Sequence, residues 1–294
     1  MAKFLCDGNP FFQLAQPAKR KTHVLLALVV VIAILVLSIL VSGIATLLVG
    51  SLLPINREIV SGFFMFTTLI LLVWLYTRFV EGRSFKTLGF ARENFIPKYF
   101  RGFGVGFLLM AGSLLIITLL CDVAIEPPKI EEGVFYTIVS IVLALLFFAI
   151  QGAGEEIMFR GWLMQSVGAR HWPWLGILLS IVLFMAVHLA NPGVNAISIV
   201  NLLLIAIFLS VYVLREGGLW GVCGFHTAWN WSMGNIFGLE VSGNSIPGAS
   251  AINMSISGHE AISGGRFGIE ASLVVTGVII IGILWLIIAD RNEK

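Results

Sequence analysis

Charged side chains cut this chain into long neutral runs, and the length of those runs predicts its architecture. One α-helical crossing of a bilayer takes roughly 20 apolar residues. Eight segments meet or approach that length: one within Thr22–Asn56, then Ile59–Thr77, Gly102–Cys121, Val134 to about Val167, Trp174–Ala190, Asn195–Leu214, Gly217–Phe237 and Ala271–Ala289. In the fourth, the apolar periodicity continues past Glu155, Glu156 and Arg160 instead of stopping at them. Asn191-Pro192-Gly193 marks a turn between the fifth and sixth. A polar stretch, Arg78–Arg101, separates the second from the third, and a loop rich in Gly, Ser and Asn runs from Gly238 to about Gly268. The predicted fold class is all-α, a polytopic membrane bundle of about eight transmembrane helices forming a single domain over residues 22–290.

Composition narrows the function classes. Of 294 residues, 58% are hydrophobic and 12% charged, and the mean hydropathy is +0.98. A soluble surface needs about 25% charged residues, so the bilayer itself is the first expected partner. The net charge of +2 supplies no basic field for a polyanion, which excludes nucleic acid as a partner. Cys6, Cys121 and Cys223 form no CxxC pair, so neither a disulfide framework nor a zinc ribbon is expected.

Charge also orients the bundle, because cytoplasmic loops carry the excess of Lys and Arg. With eight spans, fifteen of the eighteen Lys and Arg fall on one side, and only Arg57, Lys129 and Arg266 on the other. Both termini are thus expected in the cytoplasm, residues 1–21 as an N-terminal segment and 291–294 as a tail. The acidic Asp122–Glu132 loop is expected outside. The absence of organellar signals and the short termini point to a prokaryotic plasma membrane. Gly102/Gly106 and Gly217/Gly221 are expected to serve close helix packing.

Ionisable groups inside an apolar span are costly unless paired or hydrated, and mark candidate sites. Three sets stand out, each with four-residue spacing: Glu155-Glu156 with Arg160, Phe184 with His188, and His226 with Asn230. Four-residue spacing puts both members on one helical face. Glu156 can pair with Arg160, which leaves Glu155 without a local partner. Residues equally far from the turn of a helical hairpin lie level, and the midpoint of Glu155 and His188 falls between His171 and Trp172, inside the Gly168–Pro173 break. A carboxylate, two imidazoles and an amide meeting in a dehydrated bundle can activate a water and stabilise an oxyanion. Each set alone also has a structural reading: a register-locking ion pair for Glu156–Arg160, interhelical hydrogen bonding for His226 and Asn230, and packing or a cavity wall for Phe184. His23, His171 and His259 sit at span edges or in loops, where solvation explains them.

Glu-Glu-x-x-x-Arg at 155–160, Phe-x-x-x-His at 184–188 and His-x-x-x-Asn at 226–230, in that order on successive spans, resemble the CPBP family. This is the family of type II CAAX prenyl endopeptidases and bacteriocin-processing or immunity proteins, also called Abi. The resemblance covers roughly Gly152 to Asn235, and Phe159-Arg160-Gly161-Trp162-Leu163 and Gly264-Gly265-Arg266-Phe267-Gly268 fit it. It implies an intramembrane endopeptidase with its catalytic core at about 134–237, cleaving a membrane-associated peptide or protein, with prenylated CAAX-like tails as one substrate class. By the same resemblance Glu155 and His188 activate a water, His226 and Asn230 bind the oxyanion, and Glu156, Arg160 and Phe184 support the site. No HExxH is present and Asn230 is a weak zinc ligand, so no metal cofactor is expected. A divalent metal such as zinc, if used, would take Glu155, His188 and His226. Two other readings remain: a non-catalytic scaffold or bacteriocin-immunity factor, and a proton-coupled transporter, the latter disfavoured by the lack of an inverted repeat.

Overall fold

The computed structural model describes residues 8–49, 57–126 and 133–289. Lys3, Cys6, Lys129 and the 291–294 tail, used above for orientation or composition, lie outside the described residues, as does the 127–132 half of the acidic loop.

Eight main helices follow one another among the described residues: α1 (Val24–Val49), α2 (Arg57–Glu81), α3 (Phe95–Thr118), α4 (Val134–Arg170), α5 (Pro173–His188), α6 (Ala196–Glu216), α7 (Trp220–Trp231) and α8 (Leu273–Ala289). Five of them, α1, α2, α3, α4 and α6, are long and apolar enough to cross a membrane, whereas α5, α7 and α8 are shorter. The chain is an integral membrane protein with an all-α bundle, but among the described residues only five of the eight expected spans reach full crossing length.

Boundaries differ from the expected ones where polar residues find partners. Helix α2 runs on through a π-helical turn, Tyr76–Glu81. It does so because Glu81 is satisfied inside the protein: Thr22 Oγ1 and Trp162 Nε1 donate to Glu81 Oε1, and Arg83 Nε to Oε2. Helix α3 starts seven residues before the expected Gly102, since Arg101 reaches Glu216 at 2.8 Å. The Gly/Ser/Asn-rich stretch after α7, expected as a loop, carries order of its own. Strand β1 (Asp122–Glu126) pairs antiparallel with β2 (Asn253–Ser257), Asp122 opposite Ser257, so the acidic loop and the Gly/Ser/Asn-rich loop are stitched together.

Lipid-facing and buried surfaces follow helical periodicity. On α4, Phe135, Ile138, Val142 and Leu146 form an exposed stripe, while Gly154–Gly168 is buried throughout, making its second half the centre of the bundle. Helices α3 and α7 approach closely because a Cβ at Gly102 or Gly106 would collide with the carbonyl oxygens of Gly221 and Phe225. Gly217 departs from the packing expectation. Its Cα faces open space, and its φ of 70° with N–H donated to Val213 O makes it the left-handed cap of α6.

Candidate active site

Glu155 and Glu156 are the last residues of α4 before its backbone widens into a π-helical stretch, Ile157–Met164. Such stretches concentrate at functional sites. Adjacent helical residues point about 100° apart, and the two carboxylates accordingly go separate ways. Glu156 turns inward and is fully buried with Arg160, whose Nη1 donates to Glu156 Oε1 at 2.9 Å. Arg160 also lies over the Phe184 ring, 4.3 Å from its centroid. The charge count that orients the bundle includes Arg160 among the loop charges. Its complete burial inside α4 removes it from that count.

Glu155 faces a cavity of about 640 Å³ lined by residues of α1, α2, α4, α5, α6, α7 and the loop after α7. The hairpin between α4 and α5 turns at His171–Trp172, and Glu155 Oε2 lies 4.0 Å from His188 Nε2. Helix α7 brings His226 Nε2 to 3.9 Å from the same oxygen. His226 Nδ1 meets Glu156 Oε1 at 2.9 Å, so Glu156 Oε1 serves both Arg160 and His226. His188 Nδ1 is 2.7 Å from Phe184 O. Because a carbonyl can only accept, His188 carries its proton on Nδ1 and turns a lone pair on Nε2 toward Glu155 when neutral. Gly152 lets α4 sit against His226, whose Cβ would stand 3.1 Å from a Cβ added there.

Sequence reasoning passed over Gln151. It lies one turn before Glu155, donates from Nε2 to Glu155 Oε1 at 2.7 Å and accepts from Asn230 Nδ2 on Oε1 at 2.8 Å. The expectation that Glu155 has no local partner is corrected: Gln151 is that partner. Its four-residue spacing was visible, but an uncharged amide draws no attention in a span. Glu270 was also missed. It lines the cavity, accepts from Trp229 Nε1 at 3.0 Å and from Ser242 N and Oγ at 2.6 and 2.8 Å, and so anchors the loop after α7 to the site. All seven predicted residues therefore meet in one place: Glu155, His188, His226 and Asn230 on the cavity, with Glu156, Arg160 and Phe184 behind or beside them.

The gaps can be bridged by water. Separations of 3.9 and 4.0 Å are too long for direct hydrogen bonds, yet a water oxygen can stand about 2.8 Å from Glu155 Oε2 and from either imidazole nitrogen. Among the described residues, no three His, Cys, Asp or Glu side chains are arranged to ligate a metal ion.

Known proteins give a consistent picture. Residues 137–232 match the family model described as type II CAAX prenyl endopeptidase Rce1-like. Over 172 residues the chain is 30% identical to the uncharacterized protein YyaK of Bacillus subtilis (strain 168). That similarity covers 54% of this chain and 54% of the relative, so the chain spans about half of that protein's length. No solved structure matches the chain. The matched stretch holds Gln151, Glu155, Glu156, Arg160, Phe184, His188, His226 and Asn230 together, and in it the chain is similar to the Rce1-like type II CAAX prenyl endopeptidases of the CPBP family.

Proposed function

We propose that this protein is an intramembrane endopeptidase that hydrolyses a membrane-associated peptide or protein with a water activated by Glu155 and His188. One observation carries the reading: Glu155 lines the cavity, and its Oε2, buried and without a hydrogen-bond partner, has two imidazole nitrogens at 3.9 and 4.0 Å, gaps that a bridging water would fill. Peptide hydrolysis needs a base for that water, donors for the oxyanion and a proton for the leaving amine. Glu155 removes a proton as the water oxygen attacks the carbonyl carbon, while His188 Nε2 orients the water by accepting its other hydrogen bond. The oxyanion forms beside α7. There Asn230 spends one amide N–H on Gln151 and keeps the second for the substrate. His226, held through Nδ1 by Glu156, donates from Nε2 when doubly protonated. Glu155 then passes its proton to the leaving nitrogen as the C–N bond breaks, restoring the carboxylate. Glu156, Arg160 and Phe184 fix these groups from behind.

The similarity to CAAX-type endopeptidases favours this chemistry over a scaffold or immunity role, and a prenylated tail is one substrate class it suggests. The Lys/Arg asymmetry supports cytoplasmic termini, and the similarity to a Bacillus subtilis protein favours a prokaryotic plasma membrane. The test compares protein termini by mass spectrometry in cells lacking the protein, cells carrying it and cells carrying Glu155→Gln at equal abundance. New termini only with the unaltered chain support the reading and name the substrate. Identical termini in all three, with Glu155→Gln still restoring whatever the deletion breaks, replace it with the scaffold.

A further inference from the structure

The cavity is closed at one end and lined by exposed residues at the other, and the two ends differ in charge. Along α2 the lining runs from Arg57 to Leu69 and stops, a depth of about 18 Å at 1.5 Å per residue. Beyond Leu69 the bundle is filled. The α4 segment past Phe159 contributes nothing to the cavity, and Arg83 joins Glu81, Ser166 and Gln165 in a buried network, with Gln165 in turn held by Phe11 O and Thr87 O. At the opposite end the lining reaches Arg57, Glu58, Asn244 and Ser245, all exposed, and Ser245 Oγ donates to Glu58 at 2.8 Å.

Helix direction assigns these ends to membrane faces. Arg57 begins α2, His188 ends α5, and the loop containing Ser245 joins the end of α7 to the start of α8, so the open end shares its face with β1 and β2. Among the described residues that face carries two basic groups, Arg57 and Arg266. The other carries eleven: Lys19, Arg20 and Lys21 before α1, six between Arg78 and Arg101, then Arg170 and Arg215. The open face is also acidic, with Asp122, Glu126, Glu240 and Glu260 exposed around it.

We infer that the site is reached from the Lys/Arg-poor, extracytoplasmic face, and that its occupant is an extended apolar peptide segment flanked by basic residues. Positive-inside asymmetry places the open end outside. The apolar walls, among them Met65, Phe66, Phe147 and Ile205, suit an apolar stretch, and the acidic face complements cationic flanks. The occupant rests on the peptidase reading. The access route does not, which makes the two separable.

The test uses thiol labelling in intact cells with a membrane-impermeant methanethiosulfonate, on the full chain with its three cysteines replaced by serine. Ser245→Cys reports the rim, with Asn244→Cys as a second rim position should loss of the Glu58 contact disturb folding. Met65→Cys reports the wall within, and Arg92→Cys the basic face. The rim and wall cysteines are expected to react in intact cells, and Arg92→Cys only after permeabilisation. The reverse pattern, or reaction of both faces or neither in intact cells, overturns the route, as does a Met65→Cys that stays unreactive while the rim reacts. An added leucine-rich peptide with lysine flanks should slow Met65→Cys labelling several-fold more than its glutamate-flanked counterpart. Equal protection, or stronger protection by the glutamate peptide, overturns the cationic occupant. None of these readings requires turnover, so an inactive protein would refute the peptidase reading and leave the route standing.

Discussion

Gln151 Oε1 accepts a hydrogen bond from Asn230 Nδ2 at 2.8 Å, tying the amide proposed for the oxyanion to the helix that carries the proposed base. The other end of the same side chain donates to Glu155 Oε1 at 2.7 Å, so one residue orients both groups. Replacing it with leucine keeps the volume and removes both bonds. Since small misplacements of reacting groups cost about 10²-fold, Gln151→Leu should lower kcat by about that factor with little change in KM. A fall confined to KM would show that Gln151 does not position the site.

The carboxylate proposed as base allows a sharper expectation. Glu155→Gln keeps shape and the contact with Gln151 but cannot take a proton, so turnover should fall by about 10²–10⁴. Asn230→Ala should cost about 10²–10³ through the oxyanion. Turnover near the unaltered rate in either purified variant would reassign the chemistry.

Glu156 and Arg160 should behave as structure. Both are fully buried, and removing one partner strands the other charge, which typically costs about 3–5 kcal/mol. Arg160→Ala should therefore lower the midpoint of unfolding in detergent far more than Glu155→Gln does. Equal midpoints would mean the pair contributes nothing to the fold.

Close approach of α3 to α7 rests on Gly102, where a Cβ would meet the backbone of Gly221 rather than a side chain able to move. Overpacking of this kind costs about 1–3 kcal/mol. Gly102→Ala should lower stability by that amount and shift α7 with its His226 and Asn230, so activity should drop as well. Gly217→Ala faces open space and should lose stability only through its positive φ, leaving activity in the surviving folded protein intact.

Under the proposed mechanism the Glu155 carboxylate and His188 activate the water without a metal, so chelation by phenanthroline should leave turnover unchanged. Loss of activity restored by added zinc would instead assign Glu155, His188 and His226 as its ligands.

Much of this was legible in the chain itself. A bilayer demands long apolar helices whose backbone groups are satisfied internally, so charge-free runs had to become helices, and Glu155, His188 and His226 stood out because ionisable groups there need a reason. The level depth of Glu155 and His188 followed from counting, since a hairpin turning at His171–Trp172 returns along the same rise per residue. Side-chain partnership was not legible, because it depends on which helices become neighbours. The pairing of β1 with β2, the π-helical widening at Ile157–Met164, the double duty of Glu156 Oε1 and the bridge of Gln151 all arise between segments far apart in sequence or from local backbone winding that no apolar period encodes. The closed and open ends of the cavity belong to the same class. They were decided when buried polar groups such as Arg83 and Gln165 found partners across the bundle on one side, while on the other the loop from α7 to α8 settled around Glu270 and Glu58.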